Sequence, residues 1–81
     1  MFVTIGLVRN QKCAQKMVRA FNAVIKANPN SYVSHAWFGP SRDSYGKFYL
    51  VCAEAFGTYN AAVLAAATKA ADDAEREFYT K

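Results

Sequence analysis

Histidine, cysteine and proline are scarce in this chain, and acids are outnumbered. One histidine and two cysteines, with no Cys-x-x-Cys pair, leave too few ligands for a zinc site. Two cysteines also fall short of a disulfide scaffold. Cys13 and Cys52 read as buried, reduced core thiols, with a pairing between them left open because the first helix should lie over the sheet. No apolar run approaches about 18 residues, so no segment is expected to span a membrane. Met1 leads straight into a strand, without the basic and apolar regions of a secretory signal, which points to the cytoplasm. The carboxylates show no pairing across a cleft, and His35 has no evident orienting group beside an accessible thiol. Neither enzymatic activity nor a cofactor or metal is therefore expected. Repeats, low-complexity segments and linkers are absent from the pattern.

What is present is an ordered composition on a short chain. Its 81 residues are 53% hydrophobic and 15% aromatic, enough for one domain spanning 1–81 with a single core. The net charge of +4 is unevenly spread. Residues 1–49 hold seven Lys and Arg against Asp43, which is 7 − 1 = +6; residues 50–81 hold three against five acids, which is 3 − 5 = −2. Such asymmetry suggests an acidic partner for the first half.

The organising stretch is Gly46–Ala55, read as the central strand. Phe48, Leu50 and Cys52 point one way, and Lys47, Tyr49, Val51 and Ala53 the other; both sets are largely apolar. Phe2 to Val8 alternates as a first strand, with Val3, Ile5 and Leu7 on one face and Phe2, Thr4, Gly6 and Val8 on the other. Gly6 marks a bulge or a close approach. Asn10 caps a helix over 11–27 whose apolar stripe is Cys13, Met17, Ala20, Phe21 and Val24, ended by Asn28-Pro29. Ser31 to Phe38 reads as the second strand, with Tyr32, Ala36 and Phe38 placed under the helices. Residues 39–46 are turn formers. Thr58 caps a last, alanine-rich helix over 59–79 with a stripe of Val63, Ala67, Ala70, Ala74 and Phe78. The acids near its C-terminus oppose the helix dipole, and local helix energetics do not account for them.

This gives an α+β fold, β-α-β-β-α, with a three-stranded antiparallel sheet of order 1-3-2 and two helices on one face. Two surfaces then need a partner. At 100° per residue Lys12, Lys16, Arg19 and Lys26 fall within roughly an 80° sector opposite the apolar stripe, and they span about 21 Å. The other surface is the uncovered sheet face, expected to carry Phe2, Val8, His35, Trp37, Tyr49 and Val51, with Lys47 at its rim. Arg42 in the connecting loop is a third candidate contact.

Two resemblances bear on function. The layout resembles the RNA-recognition motif, whose sheet stacks bases on aromatics. Met1-Phe2-Val3 is similar to the opening of that family's strand 1 motif and Gly46-Lys47-Phe48-Tyr49-Leu50-Val51 to its strand 3 motif, which implies stacking positions at Phe2 and Tyr49. Lys47, Phe48 and Tyr45 depart from the pattern, and no fourth strand follows. In size and lack of a reaction centre the chain also resembles the small inhibitors of phages and mobile elements, including the anti-CRISPR type. That implies a host nucleoprotein complex as partner, with an acidic or nucleic-acid-binding surface blocked by occupancy. The alternative is direct, non-specific binding of DNA or RNA. A homodimer through the open sheet face or the strand 1 edge is compatible with both.

Overall fold

The computed structural model describes residues 1–41 and 47–80. In chain order come β1 (Phe2–Val8), α1 (Gln11–Ala27), β2 (Trp37–Pro40), β3 (Tyr49–Glu54) and α2 (Ala61–Tyr79). The strands form one antiparallel sheet in the order β1-β3-β2, and a single core joins one sheet face to both helices. The α+β arrangement and strand order are those the sequence pattern implies.

Local chemistry sets the helix ends. The Asn10 side chain accepts from the amides of Lys12 and Cys13 at 2.8 and 3.3 Å, a cap worth about 1 kcal/mol. α1 ends at Asn28, whose amide donates to the Ile25 carbonyl and whose Nδ2 donates to Val24 at 2.8 Å. The buried face of α1 is Cys13, Ala14, Met17, Phe21 and Ile25. It is shifted from the expected stripe: Ala14 and Ile25 are buried, while Ala20 and Val24 lie half-buried at its margin.

α2 starts two residues later than the pattern suggests, and its cap is Asn60 rather than Thr58. Asn60 Oδ1 accepts from Ala62 and Val63 at 3.1 and 3.2 Å, while the Asn60 amide donates to the Ser31 carbonyl at 2.8 Å. The long-range bond holds Asn60 where its side chain can cap. α2 buries Val63, Ala67, Ala71 and Ala74, so Ala71 takes the core place expected of Ala70. The helices run antiparallel. The start of α1 at Cys13 meets the end of α2 at Tyr79, and the segment after α1 meets the start of α2.

The sheet corrects the face assignments. A bulge lies between Thr4 and Gly6, so Ile5 and Val8 are both buried while Leu7 turns to solvent. An added Cβ on Gly6 would lie 2.8 Å from Met17 Cε. Both readings of Gly6, bulge and close approach, therefore hold. On β3 the core face is Tyr49, Val51 and Ala53, with Val51 and Ala53 fully buried. Val8, Tyr49 and Val51 thus face the helices, not the open side as expected. Both β3 faces are apolar, so alternation alone cannot orient the strand; α1 packing across all three strands does.

The second strand is shorter and later than Ser31–Phe38. Only Trp37–Pro40 pair with β3, preceded by a single bridge between Val33 and Ala55. Tyr32 has φ of 57°, a left-handed conformation that breaks a strand. Its ring is exposed and Val33 is buried, the reverse of the expected order, whereas Ala36 and Phe38 face the core as expected. Where the ladder is lost, side chains replace it. Asn22 Oδ1 accepts from the Ala36 amide at 2.6 Å and its Nδ2 donates to the Ala36 carbonyl at 3.4 Å. The Ser34 amide donates to the Glu54 carbonyl, and Ser34 Oγ accepts from the Glu54 amide, both at 2.8 Å.

Candidate functional site

Two surfaces on opposite sides of the molecule carry the chemistry. On α1, Lys12, Arg19 and Lys26 are exposed and Lys16 is half-buried, all on the side away from the core residues Met17 and Phe21. Among the described residues none of the four has a carboxylate partner; the ion pairs lie on α2, where Asp73 meets Lys69 at 3.2 Å and Arg76 at 3.6 Å. These α2 pairs are exposed and contribute little to stability. Lys12, Lys16, Arg19 and Lys26 form a row about 21 Å long.

The second surface is the outer sheet face. Phe2, Thr4 and Leu7 lie on it from β1, Leu50, Cys52 and Glu54 from β3, and Trp37 from β2. Phe2 is 74% exposed, Leu7 52% and Trp37 42%. The rings of Phe2 and Trp37 meet edge to face at 6.1 Å, a favoured aromatic geometry. Of the residues expected here, the structure brings Phe2 and Trp37 together and leaves His35 and Lys47 exposed, but removes Tyr49. Tyr49 instead packs edge to face on Phe38 beneath the sheet at 6.2 Å. The two stacking positions implied by the RNA-recognition motif thus lie on opposite faces. Arg42 lies outside the described residues.

Sequence reasoning missed several surface residues. Leu7 reaches the outer face only because of the bulge. Arg9 stacks on Phe48 at 5.2 Å. Tyr32 and Phe56 are 65% and 48% exposed, brought together by a hydrogen bond from the Phe56 amide to the Tyr32 carbonyl at 2.9 Å. A left-handed tyrosine carries no signal that alternation could detect.

The thiols are poorly suited to nucleophilic chemistry. Both are free, Cys13 buried under α2 and Cys52 half-buried on the outer face, less enclosed than expected. Burial pushes the Cys13 thiol above its ordinary value, with Tyr79 alongside easing it partly back, and burial also raises Cys52. A thiol with a raised pKa holds little thiolate at neutral pH. No group of three His, Cys, Asp or Glu able to hold a metal occurs among the described residues. There, too, no helix is long and apolar enough to cross a membrane. A cleft of about 260 Å³ between Ala27–Ser31 and the start of α2 is below the usual range of ligand pockets, and its Asn28 and Asn60 side chains are spent on helix ends. Compared with known proteins, the chain matches no family model, no curated protein and no solved structure.

Proposed function

We propose that the protein is a non-enzymatic binding protein, a small cytoplasmic inhibitor of the kind carried by phages and mobile elements. Its basic α1 face docks on a host nucleoprotein complex, such as a CRISPR effector, and blocks recognition of nucleic acid there. The observation that carries this reading is the row Lys12, Lys16, Arg19 and Lys26 on a capped helix, without a carboxylate partner among the described residues. Such a row imitates the charge-complementary partner of an acidic groove, and it is held in place without induced ordering, which favours affinity. The raised thiols support a role in occupancy rather than in reaction.

Direct nucleic-acid binding is the second reading, favoured by the exposed Phe2–Trp37 pair, a platform on which a base can stack. Affinity purification of the tagged protein from host cytosol, with and without nuclease, separates the two. The inhibitor reading expects a stoichiometric protein complex that survives nuclease and is lost when Lys12, Lys16 and Arg19 are all replaced by Glu. Recovery of nucleic acid alone, with a log–log salt slope of roughly −0.7 to −0.9 per phosphate neutralised, overturns it in favour of direct binding.

A further inference from the structure

The edge of the sheet at β1 offers a site for a second copy of this chain. β1 pairs with β3 alone among the described residues, and its other side is an open edge seven residues long. Natural edge strands are usually blunted by lysine, proline or an inward charge. Phe2–Val8 has none of these. Met1 and Ala55 exchange hydrogen bonds in both directions, at 2.9 Å each. By the alternation of an antiparallel ladder, Phe2 and Thr4 then direct their amides and carbonyls away from β3, and beyond the bulge so do Leu7 and Arg9.

We infer that two copies join β1 to β1 in antiparallel fashion about a two-fold axis normal to the sheet, giving a continuous six-stranded sheet. Charge complementarity sets the register. Pairing Thr4 with the partner's Leu7 places Phe2 opposite the partner's Arg9. Arg9 then stands one strand from Glu54 of the other copy, since Phe2 pairs with Glu54. Neither Arg9, which stacks on Phe48, nor Glu54 has an ion-pair partner among the described residues, and the dimer sets these opposite charges about two strand spacings, roughly 10 Å, apart at two places.

The helix layer fits the same axis. α2 packs against β1 as well as α1, whereas α1 reaches all three strands. α2 therefore lies on the β1 side of the helix layer. Its flank toward α1 carries Glu75 and Tyr79, which neighbour Cys13. The opposite flank carries Ala62, Ala66 and Ala70, then Asp73 and Glu77, at helical spacing. Ala62 and Ala66 are exposed alanines, which let a second helix approach closely. In an antiparallel α2 pair, Asp73 and Glu77 are carried toward the positive N-terminal end of the partner's α2. The acids that oppose their own helix dipole are then offset by the partner's. The open sheet face suits a dimer less well. At about 4.8 Å per strand and 3.3 Å per residue it spans only some 14 by 20 Å, small against the ~800 Å² per partner of a standard interface. Edge pairing adds backbone hydrogen bonds to a two-layer contact.

Sedimentation equilibrium of the purified chain tests this. The expected mass at tens of micromolar is that of a dimer, 2 × 9.0 = 18.0 kDa. Thr4→Pro removes an edge amide that the monomer does not use, and proline is tolerated at such positions. It should give a 9.0 kDa species with unchanged circular dichroism. Arg9→Glu should weaken association about tenfold or more, and Arg9→Glu with Glu54→Arg should restore it. A monomer at about 100 µM wild-type chain, a concentration at which even weak specific dimers form, overturns the inference. So does a Thr4→Pro dimer, or a dimer lost in Trp37→Ala while Arg9→Glu leaves it intact.

Discussion

Asn22 bears more of the fold than its polar, half-exposed position suggests. The ladder is interrupted between the Val33–Ala55 bridge and Trp37, and Ala36, only 7% exposed, would have no partner for its amide or carbonyl without the two bonds from Asn22. Removing a partner from a buried polar group costs about 1–3 kcal/mol. The 2.6 Å bond is the stronger, and the 3.4 Å bond adds less. Asn22→Ala is therefore expected to cost about 2–3 kcal/mol. A domain of this size has roughly 4–12 kcal/mol in total, at about 0.05–0.15 per residue, so the loss is a large share. At about 4–8 °C per kcal/mol it lowers Tm by roughly 10–20 °C. Asn22→Asp keeps an acceptor for the amide but sets an anionic oxygen against the Ala36 carbonyl in place of the donor, so it too should lose stability at neutral pH. Thermal unfolding followed by far-ultraviolet circular dichroism gives both values. A Tm for Asn22→Ala within about 3 °C of wild type refutes the reasoning.

Tyr32 is held at φ of 57° with its ring 65% exposed; the left-handed conformation costs an L-residue about 1–2 kcal/mol. Tyr32→Gly should therefore raise stability, by about 0.5–1 kcal/mol after the extra unfolded-state entropy of glycine, whereas Tyr32→Ala should not. Equal losses in both variants, read by urea denaturation, would show that the ring itself is the stabilising element. The thiols predict an alkaline limit. Both folded pKa values lie above the ordinary 9.0, so their contribution is whole below about pH 9 and is lost as pH rises through the folded values. Stability should be level with respect to these groups at neutral pH and fall above pH about 9, with a shallower fall in Cys13→Ala; an equal alkaline slope in that variant counts against the assignment. Thiol labelling at neutral pH should modify Cys52 before Cys13, since Cys13 is fully buried.

The sequence by itself determined the elements whose signal is local. Asn10 and the 3.6-residue spacing of Cys13, Met17 and Phe21 define α1, and the crossover rule with the element order leads to β1-β3-β2, although Gly39 and Pro40, read as turn formers, pair with Leu50 and Tyr49 in the sheet. The basic row on α1 was legible for the same reason, because helical periodicity places residues around an axis without reference to anything else. Only the tertiary structure decided which side of the sheet is inside. β3 is apolar on both faces, so Tyr49 and Val51 could be assigned to either. The choice is made by the packing of α1 across the sheet, where the Met17 methyl lies close over Gly6. The bulge beside Gly6 then buries both Ile5 and Val8 and turns Leu7 outward. Likewise, residues 31–36 have the composition of a strand, yet the left-handed Tyr32 and the Asn22 side chain, which takes up the Ala36 amide, leave only the bridge at Val33 and the Ser34–Glu54 bonds of a regular ladder. Periodicity records how a segment repeats; which face is covered depends on what the rest of the chain places against it.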